Sequence, residues 1–318
     1  MARPSSVAMS AETRATIGAD SKIKRAGVRP RAGHVLGLSP AGFHRIAYVE
    51  WGNPKSARVV ICAHGLTRQG RDFDFLARAL AEKNFRVVCP DTAGRGLSDR
   101  LADPRMYAAP QYLADMTAVM ARLDVEKVDW VGTSMGGLIG LLLAAQPNSP
   151  VRRLVMNDIG PFVAKAALQD IAGYLGTDPF FPDFAAAESY IRSVHAGFGP
   201  LADDQWEHLA RHSLRAEPGG GFRLRYDPSL AGPFRQTAEA DADLWAAWAK
   251  VRAPVMVLRG ENSEVLSPET ARLMASGGLD GSGPKAELVA FPGVGHAPAL
   301  MSGEQIAKVA DWLYPEIP

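Results

Sequence analysis

The chain has 318 residues, 47% of them hydrophobic and 22% charged, with a formal net charge of +1. That length suits one large α/β domain or one domain carrying an insertion, and the near-neutral balance shows none of the basic excess that marks nucleic-acid binding. No apolar run approaches the roughly 18 residues of a membrane span. Cys62 and Cys89 each lie in an apolar strand-like run and read as buried free thiols of a reducing compartment, a disulfide between them being the lesser reading.

Residues 1–33 are rich in Ala, Ser, Arg and Lys and lack a hydrophobic stretch of signal-peptide type. They read as a flexible or loosely packed arm, which argues against Sec export. From Phe43 onward strand-like and helix-like segments alternate, the signature of a mostly parallel sheet covered by helices. Phe43 to Trp51 begins the series, and Val59 to Ala63 is the next strand. Phe73, Leu76, Ala77 and Leu80 then fall at helical spacing, and Phe85 to Pro90 is again strand-like. Leu113, Met116, Val119 and Met120 share one helical face ahead of a strand at Val128, and Val151 to Met156 makes a further strand.

After Gly160-Pro161 the rhythm changes. About eighty residues give helical fragments without convincing strands, which reads as a helical cap, residues 161–249, inserted after the sixth strand. Its aromatics Phe180, Phe181, Phe184, Tyr190, Phe198 and Trp206 suit either an apolar substrate pocket or the cap's own small core. Pro254 to Gly260 restores the sheet, Glu287 to Phe291 adds a strand, and Glu304 to Leu313 closes the chain as an amphipathic helix. The core is thus assigned to residues 34–160 and 250–318.

The chemistry gathers at strand C-terminal ends, where open α/β sheets place their ligand sites. Gly132-Thr133-Ser134-Met135-Gly136 forms a Gly-x-Ser-x-Gly turn between a strand and a helix, a geometry that lifts a serine Oγ above the sheet as a nucleophile. His64-Gly65-Leu66 follows the Val59 strand. A glycine there lets a backbone N–H approach an anionic oxygen, and together with the Met135 N–H it suits an oxyanion hole. His64 itself reads as a residue that shapes the loop, with general base as the lesser alternative. His296, flanked by Gly293 and Gly295 directly after the last strand, suits the general base. Three carboxylates compete to orient it: Glu264 first, in the loop after the Val255 strand; then Asp158, at the end of the Val151 strand; then Glu261.

His64-Gly65, Asp91-Thr92-Ala93-Gly94-Arg95-Gly96-Leu97-Ser98-Asp99, Gly132-Thr133-Ser134-Met135-Gly136-Gly137 and Gly295-His296 occur in that order, and together they resemble the α/β-hydrolase superfamily from about Phe43 to the C-terminus. The resemblance implies an α/β-hydrolase fold, Ser134 as nucleophile, His296 as base, Leu66 and Met135 as oxyanion-hole donors, and an acid after the Val255 strand. Ser263-Glu264 stands there where Ser-Asp is the commoner pair. Arg95, in the Asp91 to Asp99 loop, is read as scaffold beside the site with a polar-substrate contact as its alternative. Arg68 and Arg71 are candidate substrate-binding residues for an acidic ester.

The function so read is a cytoplasmic serine hydrolase that cleaves carboxylic esters through an acyl-enzyme, with no metal and no cofactor. Its expected partner is a small-molecule ester, with no nucleic acid and no membrane, homo-oligomerisation being left open. Carbon–carbon bond hydrolysis or enol-lactone hydrolysis on the same scaffold is the near alternative. A non-catalytic ligand-binding protein of this fold is the distant one.

Overall fold

The computed structural model describes residues 29–315. In chain order the first six strands are β1 (Arg31–Ser39), β2 (Gly42–Trp51), β3 (Val59–Ala63), β4 (Arg86–Pro90), β5 (Val128–Thr133) and β6 (Val151–Asn157). Four short strands follow: β7 (Phe162–Val163), β8 (Leu214–Ala216), β9 (Phe222–Leu224) and β10 (Ala242–Asp243). The last two are β11 (Val255–Gly260) and β12 (Glu287–Phe291). Eight of them form one sheet in the order β1-β2-β4-β3-β5-β6-β11-β12. Only β2 runs against its neighbours; the other inner pairs are parallel.

Every residue of β3, β4 and β11 is buried, as continuous apolar strands must be when helices cover both faces of a parallel sheet. Alternation along each strand sends its residues to opposite sides. Val60 and Cys62 of β3 join the cluster under α1 (Asp74–Glu82), which also takes Val309 and Leu313 from the C-terminal helix. Ile61 and Ala63 join the larger cluster on the other face, with Met116 and Val119 of α2 (Ala109–Leu123) and Ile139 and Leu141 of α3 (Met135–Ala144).

Two expectations need adjusting. Arg31–Gly33 belong to β1, so the sheet begins ahead of the Phe43 start and takes in the end of the segment assigned as an arm; the rest of that segment, residues 1–28, lies outside the described residues. The pattern of β1 hid it, because small Gly37 and Ser39 face inward while Leu36 and Leu38 face solvent. The 161–249 segment is not purely helical either. Its helices are α4 (Lys165–Tyr174), α5 (Phe184–Val194), α6 (Asp203–Ser213), α7 (Ala231–Thr237) and α8 (Trp245–Trp248). They come with the antiparallel pairs β7–β10 and β8–β9, of two and three residues per strand, too short to show a period.

The turn after β5 is closed by glycines for a steric reason. A Cβ on Gly136 would stand 2.0 Å from the Ala63 carbonyl oxygen, and one on Gly132 would stand 2.2 Å from that of Gly136. Trp130 Nε1 donates to the same Gly136 oxygen at 2.9 Å and fixes the helix start against β5. Gly136→Ala is therefore expected to destabilise the fold by about 3 kcal/mol or more, because backbone and not a pliable side chain must move. Urea unfolding measures this, and a cost below about 0.5 kcal/mol would show that the turn has slack.

Candidate active site

Ser134 sits between β5 and α3 at φ 51° and ψ −118°, a positive φ that a serine adopts only under the constraint of a tight turn. Its Oγ lies 3.0 Å from His296 Nε2. His296 Nδ1 lies 2.8 Å from Asp158 Oδ2. The imidazole is three-quarters buried and the carboxylate fully so. Asp158 follows β6, also at positive φ (56°), and its second oxygen accepts the Gly260 N–H at 2.8 Å. One carboxylate thus orients the imidazole and ties β6 to β11.

The residue ranked first from sequence is elsewhere. Glu264 is exposed, as is Glu261. The cause is the turn after β11, in which buried Ser263 Oγ accepts the Val265 and Leu266 N–H groups and directs Glu264 to solvent. Asp158, the second-ranked carboxylate, occupies the position beside His296 instead. Asn157, next to it, escaped sequence reading altogether. Its Nδ2 donates to Thr133 Oγ1 (2.9 Å) and to the Pro298 carbonyl (2.8 Å), bracing the serine loop against the histidine loop. An asparagine at a strand end carries no signal of that task.

Met135 opens α3, so its N–H is one of the helix's first amides, which have no intrahelical acceptor. Across from it, the Arg68 N–H donates to the Gly65 carbonyl (3.0 Å) and turns the loop that carries Leu66. A Cβ on Gly65 would lie 3.7 Å from Ser134 Cβ, so this loop runs directly beside Ser134. His64 holds it from below. Its Nε2 accepts the Thr92 N–H (2.9 Å), which leaves Nδ1–H to donate to the Gly65 carbonyl (2.7 Å). Buried Arg95 supports the loop from the other side, donating from Nε to the Leu66 carbonyl (2.8 Å) and from Nη1 to Tyr112 Oη (2.9 Å). Arg95 is scaffold.

Burial pulls the His64 pKa down from 6.5 to about 4. Burial also pushes Asp91, in the adjoining loop, up from 3.8 to about 6, outweighing the two backbone N–H groups, from Leu97 and Gly70, that favour its charged form. The signs oppose each other. His64 contributes stability that is present above pH 6.5 and lost as pH falls toward 4, while the Asp91 share is present below about 4 and lost as pH rises through 6. Each is worth about 3 kcal/mol, so in the native protein they nearly cancel. His64→Gln removes one side of this balance, and its destabilisation is expected to be about 3 kcal/mol larger at pH 7 than at pH 4. Urea unfolding at the two pH values reads the difference; an equal cost at both would mean that His64 is not held neutral.

Arg68 and Arg71 part company. Arg68 lines a small cavity with His64, Gly65, Thr133, Phe198 and Ala297, residues that flank Ser134 and His296 in the chain or in space. Arg71 turns the other way and pairs with Asp74 at 2.6 Å. Helix α6 brings His208 there, its Nε2 donating to the Arg71 carbonyl at 2.9 Å, with His212 one turn on. Asp74, His208 and His212 hold their potential ligand atoms within 4.8 Å of one another. The positive charges of Arg71, Arg225 and Arg211 face His212 and help burial keep its pKa well below 6.5. Asp74 is ion-paired with Arg71 and lies 3.5 Å from His208 Nε2, so the cluster ties α6 to the start of α1. Of the aromatics in the 161–249 segment, Phe198 lines the cavity that Arg68 lines, Phe181 and Trp206 are buried in the hydrophobic core, and Phe180 is exposed. Cys62 and Cys89 are free and buried.

Residues 58–300 match the family model of the α/β hydrolase fold. A 3-hydroxybutyrate-oligomer hydrolase of Cupriavidus necator is 47% identical over 286 residues, 87% of this chain and 96% of its own. A bifunctional esterase/perhydrolase of Acinetobacter calcoaceticus is 27% identical, covering 83% and 93%. Among solved structures, a protein from Rickettsia typhi superposes with a TM-score of 0.82 at 31% identity, covering 91% of this chain and all of its own. An α/β hydrolase from Novosphingobium aromaticivorans superposes with a TM-score of 0.75 at 34% identity, covering 89% and 98%.

Proposed function

The chain belongs to the α/β-hydrolase fold family and is an ester-cleaving enzyme of it, and we propose that it hydrolyses short oligoesters of hydroxyacids through an acyl-enzyme on Ser134. The observation that carries the reading is the unbroken hydrogen-bond chain from Asp158 Oδ2 to His296 Nδ1 (2.8 Å) and from His296 Nε2 to Ser134 Oγ (3.0 Å). His296 takes the Oγ proton as Oγ attacks the ester carbonyl, and the Leu66 and Met135 N–H groups hold the oxyanion. The tetrahedral intermediate collapses, His296 returns the proton to the departing alkoxide, and an alcohol leaves. Water, deprotonated by the same imidazole, then releases the acid and restores Ser134. Asp158 keeps the Nδ1–H tautomer in place and stabilises the imidazolium as it forms. Water balances the reaction, so no cofactor enters it.

The substrate class is supported by the identity to the Cupriavidus enzyme over nearly its whole length. A place in the cytoplasm is supported by the two buried free thiols. No helix among the described residues is long and apolar enough to cross a membrane. The test is a panel: 3-hydroxybutyrate dimer, p-nitrophenyl esters of increasing acyl length, and a dienone cleaved at a carbon–carbon bond. Release of 3-hydroxybutyrate from the dimer together with ester cleavage is expected. Turnover of the dienone with silence on all esters would move the protein to carbon–carbon hydrolysis.

A further inference from the structure

Arg68 stands where two cavities meet. One is the cavity beside the nucleophile; the other lies under the cap and is lined by Arg68 with Tyr174, Tyr190, His195 and Tyr226. The position where Gly65 would carry a Cβ is 3.7 Å from Ser134 Cβ and 3.7 Å from Arg68 Cγ, so the stem of the arginine shares one small space with the nucleophile. The guanidinium is held stiffly. Nε and Nη2 donate to the two oxygens of Asp72 at 2.7 and 2.8 Å, Nη1 donates to His195 Nε2 at 3.1 Å, and Phe198 lies 5.9 Å beneath the cation while stacking on His195 at 4.7 Å. His195 is neutral, since burial and the adjacent Arg68 charge both lower its pKa far below 6.5. A guanidinium has five N–H donors, and three are used here among the described residues.

We infer that Arg68 is the anchor for the free carboxylate of a hydroxyacid oligoester, so that the ester cut is the one nearest the carboxyl end. The inference rests on the ester-hydrolase reading above and names the end of the substrate that the site recognises. In a 3-hydroxy acid oligomer the last ester carbonyl carbon and the terminal carboxylate carbon are four bonds apart, about 5 Å when extended. The two groups to be held are thus close together in the substrate, and Ser134 and the Arg68 stem both flank the Gly65 position. The carboxylate takes the remaining N–H groups of Arg68 as a charge-assisted pair, with Asp72 fixing the plane of the fork and His195 supplying the wall from the cap. The terminal unit is then the leaving group. Its alkoxide oxygen takes the proton from His296 and departs as the free hydroxyacid, while the remainder stays on Ser134 until water releases it.

Wild-type protein tests this by comparing the 3-hydroxybutyrate dimer with its terminal carboxamide, which loses the negative charge and keeps the single ester bond. The expected kcat/KM ratio favours the free acid by about ten- to hundredfold, carried by KM. Arg68→Gln is expected to bring that ratio close to one. Should that variant fail to fold, Arg68→Lys keeps charge and stem but loses the planar fork, and must lower the ratio too. A wild-type ratio near one, or a wild-type ratio retained in the Arg68 variants, overturns the inference. Serine-dependent cleavage of p-nitrophenyl butyrate by the wild-type protein is measured alongside. If it persists while the acid preference is missing, the carboxylate anchor alone fails; if it is missing too, the ester-hydrolase reading fails with it.

Discussion

Ser134→Ala is expected to lower kcat on any ester by about 10⁴- to 10⁶-fold while leaving the fold intact. The methyl group of alanine fits wherever a serine Cβ fits, and the packing in this turn belongs to Gly132, Gly136 and Trp130. What disappears is the only oxygen within hydrogen-bond reach of His296 Nε2 among the described residues. His296 is left with no proton to take, and the oxyanion donors alone act on whatever water reaches the carbonyl. Residual turnover of that kind is slow, because the attacking atom is no longer prepositioned. Unfolding curves should overlay those of the native protein to within about 0.5 kcal/mol. Turnover within tenfold of native would remove Ser134 from the chemistry.

The second large effect separates two carboxylates that sequence alone ranks in the wrong spatial order. Asp158→Asn is expected to reduce kcat by about 10⁴-fold. The amide nitrogen, placed opposite Nδ1, favours the tautomer that puts a proton on Nε2, where it cannot accept the serine proton, and the imidazolium loses its counter-charge. Asp158 Oδ1 also accepts the Gly260 N–H, so some stability is lost as well, about 1 to 2 kcal/mol for one altered buried bond. Glu264→Gln is expected to change kcat by less than about twofold, as for an exposed side chain away from the chemistry. Steady-state kinetics of the two variants side by side read the contrast. A large loss in Glu264→Gln with a mild one in Asp158→Asn would return the acid to the β11 loop.

The two carboxylates show where sequence reading stops. Both follow strands that are direct neighbours, with Asn157 of β6 paired to Leu258 of β11, so both sit at the same end of the sheet within a short distance of the histidine loop. Choosing between them requires the backbone. Asp158 is turned inward at φ 56°, whereas Ser263 folds its loop so that Glu264 faces out. Neither event has a residue pattern of its own. Ser134 and His296 stand out in the sequence because Gly132 and Gly136 close the turn around one for steric reasons and Gly293, at φ 71°, bends the chain ahead of the other, and glycine is visible in a sequence. Arg68 and Arg71 look alike there, three residues apart in one polar stretch. Only the helical turn that follows sends one to Asp72 beside the cavity and the other to Asp74 and the cap histidines. The sheet was readable from its buried apolar strands. Its first strand was not, because an edge strand that packs glycine and serine inward and shows leucine to solvent inverts the usual alternation.

The most direct measurement is covalent. A fluorophosphonate reacts only with a serine whose proton is drawn away by a neighbouring base, and it stays attached for peptide mapping. With the native protein the expected result is one adduct, on the peptide containing Ser134, formed in step with the loss of ester turnover and absent in His296→Ala. Full ester turnover surviving exhaustive treatment, or an adduct on another residue that tracks inactivation, would contradict the assignment of Ser134 and His296 as the acyl-transfer pair.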